Sequence, residues 1–317
     1  MDGMYFNKNK QGTRTLTILI TLVICALLFS LPRIVAPYTI VLTFYFFVYL
    51  TLSHNWNLAG GYCNLISLGQ GAFAGIGAYT TFLLYFSGVP IELGLIIGGG
   101  ISVCLAFLLS KPLFRLRGVY FTIGTLALGE ILKLLIIRLP YFGGSWGLHI
   151  HSPPPYYSTI YLYYLSLTIG LISCFTMFKI VTSKMGWALR CIRSDEDASE
   201  LVGINTYRYK VYAFILHAFF TSIIGGLLAL YTLHIEPYTI FSVALSIEAL
   251  IITLIGGRGT FFGPFIGSAI MVALSHFLAV YYTLHLVILG VIMIVIIVFC
   301  PEGLIGRLQK RFNLKIP

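Results

Sequence analysis

Glu130 and Glu248 are the ionisable side chains placed most deeply within apolar stretches of this 317-residue sequence. A carboxylate at the centre of a bilayer costs about 2.5–3.5 kcal/mol on insertion scales, so each should face a partner or a water-filled path. Lys133 follows Glu130 at helical spacing, which makes a local ion pair the alternative for that residue. Glu248 has only hydroxyl neighbours such as Ser246, and it could line a cavity or hold two helices together.

A charged segment at 186–204 is the second candidate, because charged residues make up only 9% of the chain. Its pattern predicts an amphipathic helix with Leu189, Cys191 and Ile192 near one face, and with Gly186 and Gly203 marking its ends. Membrane spans need only a few connecting residues, so an element of this length indicates a surface offered to a partner in water. A solvated surface helix remains the alternative. The candidate residues of this segment are Gly186, Leu189, Arg190, Ile192, Arg193, Glu196 and Gly203.

Motifs for nucleotide binding and for zinc-dependent hydrolysis are absent from the sequence. It contains no G-x-x-x-x-G-K-[ST] and no H-E-x-x-H. The six cysteines form no C-x-x-C pair, and His149-x-His151 has no third candidate nearby, which makes it a weak metal signal. We therefore predict no catalytic residue, no metal and no cofactor bound by this chain.

Long apolar runs predict the fold class, an all-α polytopic membrane protein with about ten transmembrane helices. Hydrophobic residues make up 58% of the chain, and runs of the length that crosses a bilayer recur along it. We place the spans at about 15–31, 37–54, 65–87, 91–110, 119–137, 161–181, 211–233, 239–256, 261–281 and 283–300. The membrane domain is thus 15–300, with a cytoplasmic loop at about 182–210, between a cytoplasmic N-terminal segment 1–14 and a basic cytoplasmic C-terminal segment 301–317.

The net charge of +10 follows from topology and does not indicate a nucleic-acid partner. With the N-terminus inside, alternate loops place on the cytoplasmic side all 20 Lys and Arg residues except Arg33, Lys133 and Arg138. The positive-inside rule produces such a bias when both termini are cytoplasmic.

Glycine-dense strings accompany the carboxylates and predict irregular backbone or close helix contact. The pattern G-x-G-x-F-x-G occurs at 69–75 and again at 257–263, and each copy opens an apolar run. Interrupted helices of this kind commonly meet at the substrate path of transporters, although chance is the alternative. The predicted path residues are Ser67, Gly69, Gly71, Phe73, Gly75, Glu130, Ser246, Glu248, Gly256, Gly257 and Gly259.

Four motifs in the same order resemble the branched-chain amino acid ABC transporter permeases. They are Ser67-Leu-Gly-x-Gly-x-Phe-x-Gly-x-Gly-Ala-Tyr79, Leu116-Arg-Gly-x-Tyr-Phe-x-x-x-Thr-Leu-Ala127, Gly186-x-Ala-Leu-Arg-x-Ile-Arg-x-x-Glu196 with Gly203-Ile204, and Ser246-Ile-Glu with Ile255-Gly-Gly-x-Gly-Thr-Phe-Phe-Gly-Pro264. The resemblance extends from about 37 to 305. The stretch Arg117-Gly-x-Tyr120 is more similar to the LivM-type subunit than to its LivH-type partner.

The resemblance implies a transport subunit of the bacterial or archaeal cytoplasmic (inner) membrane, not an enzyme. It would pair with a LivH-like second permease, two cytoplasmic ATPases that bind ATP and Mg, and a periplasmic or extracellular substrate-binding protein, within membrane lipid. The segment at 186–204 would be the coupling helix, with Arg190, Arg193 and Glu196 in polar contact with an ATPase. The implied substrates are leucine, isoleucine and valine. A permease for urea, short amides or another small polar solute, or an ion-coupled secondary transporter, remains the alternative.

Overall fold

The protein is almost entirely helical over the residues that the computed structural model describes, which are 27–278, 290–291 and 303–312. Residues 27–34 are helical, and the named helices that follow are α1 (Pro37–Trp56), a π-helix (Asn57–Tyr62), α2 (Gln70–Phe86), α3 (Ile91–Leu113), α4 (Val119–Arg138), α5 (Thr159–Val181), α6 (Lys184–Ser194), α7 (Glu196–Leu201), α8 (Thr206–Thr232), α9 (Pro237–Ile240), α10 (Ala244–Gly256), α11 (Gly263–Leu278) and α12 (Gly303–Phe312). Two 3₁₀ turns (Pro140–Phe142 and Gly144–Trp146) and two short strands, β1 (Leu148–His149) and β2 (His234–Ile235), complete the described elements.

Five described helices are long and apolar enough to cross a membrane, which confirms the predicted fold class at that level. They are Ile91–Leu113, Val119–Arg138, Thr159–Val181, Thr206–Thr232 and Pro237–Gly256, the last comprising α9 and α10. The helix within the predicted span 65–87 begins only at Gln70, because residues 64–69 are not helical. Most of the predicted spans 15–31 and 283–300 lies outside the described residues.

Glycines bring α2 and α8 into close contact at the centre of the molecule. A Cβ at Gly77 would collide with the carbonyl of Ser222, and a Cβ at Gly225 would collide with that of Ala74. Small residues allow helix backbones in membranes to approach closely and gain packing contacts. The helix pair α2–α8, together with α3, therefore forms a tight inner layer.

Helix α1 lies against α5, α10 and α11 and carries much of the polar contact between helices. The amide of Asn55 donates to Ser173 at 3.0 Å, and Thr253 donates to the carbonyl of Ser53 at 3.3 Å. Ser53 also lies 3.4 Å from Ser268 of α11. These bonds satisfy buried polar groups where no water is available.

The two ends of the molecule differ in character. At one end β1 and β2 pair antiparallel, with His149 opposite His234. A third histidine thus lies near His149-x-His151, yet no group of three side chains within the described residues could hold a metal ion. At the other end lie α6 and α7, which follow the C-terminal end of α5.

Candidate functional site

The segment predicted as one amphipathic helix is two helices with a sharp break between them. Ser183 begins α6 by accepting a hydrogen bond from the backbone N–H of Met185 at 3.2 Å. Asp195 ends α6 and caps α7, because its extended backbone (φ −159°) lets its carboxylate accept from Ala198 N–H at 2.9 Å. Gly203, at φ +87°, closes α7 as predicted. We call α6, α7 and their caps, residues 183–203, the coupling segment.

One face of the coupling segment is buried against the membrane helices. Leu189 is fully buried and Ile192 is 4% exposed, and both pack in a cluster with residues of the π-helix, α5 and α8. Two sequence predictions are wrong here. Cys191 is exposed, since it lies beyond the buried face. Gly186 lies within α6, where a Cβ would collide with the carbonyls of Ile180 and Val181 at the end of α5.

The charged residues predicted to contact an ATPase are engaged within the chain. Arg190 donates to the carbonyl of Val181 at 2.9 Å, and its guanidinium lies 4.9 Å from the ring centroid of Trp187. Glu196 forms an ion pair with Lys210 of α8, which is 6% exposed. Contact with an ATPase through these residues stays a prediction, and it would have to coexist with these intrachain bonds.

A second ion pair joins the coupling segment to the loop between α3 and α4. Arg117 lies 3.2 Å from Asp197, and both side chains are 71% exposed. The hydrogen bond to Asp197 and then its negative charge raise the pKa of Arg117. Exposed ion pairs contribute little to the free energy of unfolding. This pair therefore affects the orientation of the coupling segment more than its stability.

Large apolar side chains of the coupling segment face away from the chain. Trp187 is 65% exposed, Leu201 is 89% exposed and Val202 is 77% exposed. Leu201 and Val202 lie at the C-terminal end of α7, just before Gly203. We call these three side chains the docking face.

The π-helix at the end of α1 meets a glycine loop, residues 256–259, beside the coupling segment. The Asn57 amide donates to the carbonyl of Thr260 and accepts from Gly259 N–H, both at 2.8 Å. Arg258 donates to the carbonyl of Gly60 at 2.6 Å and to Asn64 at 2.6 Å. The irregular backbone that the glycine strings predicted is therefore present at both places.

Two arginines of the coupling segment reach the place where the π-helix meets the glycine loop, which we call the junction. The guanidinium of Arg190 lies 5.8 Å from the ring centroid of Tyr62, at the end of the π-helix. A Cβ at Gly259, whose φ is +75°, would collide with the guanidinium of Arg193. Desolvation, followed by the charge of Arg193, lowers the pKa of Arg258. The junction therefore connects the coupling segment directly to the ends of α1 and α10.

The path residues predicted around α2 pack tightly against their neighbours. Gly71 approaches the backbone of Phe241, Gly75 approaches the ring of that residue, and Phe73 is fully buried. A Cβ at Gly69 would lie 2.8 Å from the carbonyl of Thr125. These residues form close contacts from α2 and the residue before it to α4 and to the connection between α9 and α10.

Three other predicted path residues hold elements together. Ser67 is fully buried, and its carbonyl accepts from the Trp56 indole at 2.9 Å. Ser246 accepts from Gln70 N–H at 3.0 Å and donates to the carbonyl of Leu68 at 2.9 Å. Gly256 packs against the carbonyl of Gly263.

Gly257 (φ +128°) and the two carboxylates occupy different surroundings. Gly257 contacts Gly303 of α12 closely. Glu130 pairs with Lys133 at 2.5 Å, as their spacing predicted. Glu248 is partly buried on α10. A role in a path stays a prediction for all of these residues.

Sequence reasoning missed the residues that hold the coupling segment in place. In the sequence, nothing distinguished Lys210 from the other cytoplasmic cations, and Asn57 was only one residue of a glycine-rich string. A lysine in the first helical turns after a charged loop is a weak signal, and its pairing with Glu196 depends on how α6, α7 and α8 fold against each other. Only the structure could identify it.

Comparison with known proteins places this arrangement among membrane permeases. A family model described as "Branched-chain amino acid transport system / permease component" matches residues 38–297. The high-affinity branched-chain amino acid transport system permease protein LivM of Salmonella typhimurium is 27% identical, over 84% of this chain and 70% of its own length. No solved structure matches.

More distant relatives include an archaeal protein and a second type of permease. A probable branched-chain amino acid transport permease protein LivM of Methanocaldococcus jannaschii is 24% identical, over 61% of this chain and 62% of its own. The permease protein LivH of Salmonella typhimurium is 28% identical, over 39% of this chain and 41% of its own. The similarity to LivM thus covers much more of the chain than the similarity to LivH.

Proposed function

The chain belongs to the branched-chain amino acid transport permease family, and from that premise we propose that it is the LivM-type membrane subunit of an ATP-binding-cassette importer. It translocates leucine, isoleucine and valine across the cytoplasmic (inner) membrane of a bacterium or archaeon. Separate ATPase subunits, which bind ATP and Mg, supply the energy. The chain itself is a transport subunit and not an enzyme.

The observation that carries this proposal is the two-sided coupling segment. One side is buried on the membrane helices through Leu189 and Ile192, while the docking face of Trp187, Leu201 and Val202 is left in solvent. Exposed aromatic and aliphatic side chains beside buried anchors are typical of a protein interface. An ATPase that binds this face would move an element that is firmly joined to the membrane helices.

The contacts at the junction support transmission of that motion from the coupling segment to the membrane helices. Arg190 contacts Tyr62 of the π-helix, and Arg193 lies against Gly259, so displacement of α6 acts on the ends of both α1 and α10. Asn57 couples those two ends by its pair of hydrogen bonds. A π-helix at this position fits a functional role, because such irregular turns occur frequently at functional sites.

The proposed topology follows from the charge pattern. Both termini and the coupling segment are cytoplasmic, while the β1–β2 end faces the periplasm or the extracellular space, where a substrate-binding protein docks. A LivH-like subunit completes the membrane part. The partial similarity of this chain to LivH of Salmonella typhimurium is consistent with two related permeases in one system.

Uptake by the reconstituted complex tests this function. The chain, its second permease and its ATPases are placed in liposomes with the binding protein, and labelled leucine and labelled urea are compared with and without ATP. ATP-dependent leucine uptake is expected. Urea uptake without leucine uptake would contradict the substrate, and uptake driven by an ion gradient without ATP would contradict the importer class.

A further inference from the structure

A cavity of ≈ 190 Å³ lies between the coupling segment and the helices that carry it, and we call it the coupling cavity. Its walls come from α6 and the start of α7, from the residues just after the π-helix, from the connection between α3 and α4, and from the first turns of α4 and α8. The volume is roughly six times the ~30 Å³ that a water molecule occupies in the liquid, which suits a small metabolite. None of the three docking-face side chains lines the cavity, so an ATPase and a ligand in the cavity would occupy separate surfaces.

Charged side chains of both signs line the coupling cavity. The cations are Arg117, Arg193 and Lys210, and the carboxylates are Asp195 and Glu196. Glu196 and Lys210 neutralise each other, whereas Arg193 is in no ion pair with any residue that the structure describes. Asp195 caps α7 through its Oδ1 atom, and a carboxylate has room for further hydrogen bonds. A ligand that carries one charge of each sign therefore matches this lining, whereas a lone anion or cation would meet a like charge.

Apolar side chains form much of the remaining cavity wall. Leu65, Phe121 and Ile192 are buried, and Leu116 is partly exposed. An aliphatic group placed among them is removed from water, which favours binding in proportion to the apolar area covered. Apolar walls with a few convergent polar groups are typical of small-molecule sites.

We propose that the coupling cavity binds an amino acid with an apolar side chain on the cytoplasmic side of the membrane, and that the bound molecule inhibits transport. The carboxylate of the ligand meets Arg117 and Arg193, and its ammonium group meets Asp195. Its aliphatic side chain lies on Phe121. A guanidinium has five N–H donors, so the pair of Arg117 with Asp197 leaves donors for the ligand. This inference rests on the proposed function and adds a regulation to it, because the transported amino acid limits its own import once it accumulates inside.

Inhibition follows from the elements that the ligand would join. One wall of the cavity belongs to the coupling segment, which an ATPase moves, and the other walls belong to α4, α8 and the connection between α3 and α4. A ligand bonded to both sides stabilises the arrangement in which they lie together, and so shifts the population towards it. Arg193 also lies against Gly259, so a ligand on its guanidinium acts on the junction as well.

Uptake against a fixed internal concentration of leucine tests the proposal. The reconstituted complex is sealed in liposomes with ATP and unlabelled leucine on the ATPase side, and the binding protein with labelled leucine is added outside. The initial uptake rate of the wild type is expected to fall at least about 5-fold as internal leucine is raised. For Arg117→Ala, the internal concentration that halves this rate should rise at least about 10-fold, since a charge-assisted bond to the ligand is lost.

Asp197→Asn is the matched control for Arg117→Ala. Both variants break the exposed ion pair between these two residues, but Asp197 does not line the cavity, and its replacement leaves the guanidinium of Arg117 in place. The half-inhibiting concentration for Asp197→Asn should stay within about 3-fold of the wild-type value. Each value is measured against the variant's own uninhibited rate, so a change in that rate does not enter the comparison.

A second variant and three leucine analogues test the ligand itself. Leu116→Trp fills part of the cavity without changing a charge, and it should also weaken the inhibition by internal leucine. Among the analogues, 4-methylpentanoate lacks the ammonium group, 3-methylbutylamine lacks the carboxylate and glycine lacks the aliphatic side chain. At an internal concentration at which leucine inhibits the wild type fully, none of the three should reduce its rate. Size-exclusion chromatography confirms that each variant assembles with its partner subunits.

The outcomes separate this inference from the function on which it rests. No ATP-dependent leucine uptake by the wild-type complex into liposomes without internal leucine would overturn the proposed function. Uptake that proceeds at the same rate whatever the internal leucine concentration would overturn the inhibitory cavity alone. Equal inhibition of Arg117→Ala and the wild type would also overturn it, because the inhibitory site would then lie elsewhere. Inhibition by 4-methylpentanoate or 3-methylbutylamine as strong as that by leucine would contradict the recognition of both charges.

Discussion

Replacing Leu201 by Ala is expected to weaken association with the ATPase without weakening the fold. The side chain is 89% exposed, so its folded contacts are few, and surface substitutions of this kind usually change stability by less than about 0.5 kcal/mol. Burial of a whole leucine side chain is worth about 1.5–3 kcal/mol. Alanine keeps a minor part of that area, so we expect a loss of about 1–2 kcal/mol on docking, or a Kd raised about 5- to 30-fold.

The assay is a titration of detergent-solubilised permease with the purified ATPase subunits. Trp187→Ala is a second test, and Trp146→Ala is its matched control, because Trp146 is 88% exposed near β1, at the opposite end of the molecule. We expect weaker binding for Trp187→Ala and unchanged binding for Trp146→Ala. Membrane insertion and the unfolding midpoint are followed for every variant.

One result would refute the reasoning. If Leu201→Ala and Trp187→Ala bind as the wild type does, and Arg190→Ala does not, then docking depends on the charged residues that the sequence predicted. A double replacement of Arg190 and Glu196 is a less discriminating test. It also removes the bond to Val181 and the ion pair with Lys210, and so loosens the segment itself.

Three further variants test the packing that supports the site, each by the free energy of unfolding in detergent. Lys210→Met leaves the carboxylate of Glu196 unpaired and should cost about 1–3 kcal/mol, while adding Glu196→Gln should restore most of that loss. Gly225→Ala forces a Cβ into a backbone carbonyl of α2 and should cost about 1–3 kcal/mol; Gly100→Ala, where nothing lies within 4 Å, should be neutral or slightly stabilising, and equal effects would contradict this account. Asn57→Ala should cost about 2–4 kcal/mol because two buried hydrogen bonds are lost, and Asn57→Asp, which keeps the acceptor but sets a buried charge against the Thr260 carbonyl, should cost at least as much.

The fold class was accessible from the sequence because a bilayer imposes length and composition on each helix. Runs such as 91–110 and 119–137 predicted helices that the structure places at Ile91–Leu113 and Val119–Arg138. The predicted span at 65–87 started too early, since hydrophobicity does not report backbone geometry. Residues before Gln70 are apolar enough for a span but bond instead to Trp56 and Thr125.

The coupling segment shows where local pattern stops being informative. Its amphipathic period identified Leu189 and Ile192 as one face, and both are buried. The break at Asp195 depends on a single cap, and a carboxylate within a charged stretch is equally compatible with helix and with cap.

The sequence by itself determined that this chain is a helical membrane protein of the permease family with an unusual charged element on one of its loops. These properties follow from composition, spacing and short motifs, which act over one or two helical turns. Only the tertiary structure decided which way that element faces, that Glu196 is paired with Lys210, and that Asn57 bonds to Thr260. Those pairings join residues 14 to 203 positions apart in the chain, and the packing of whole helices sets them.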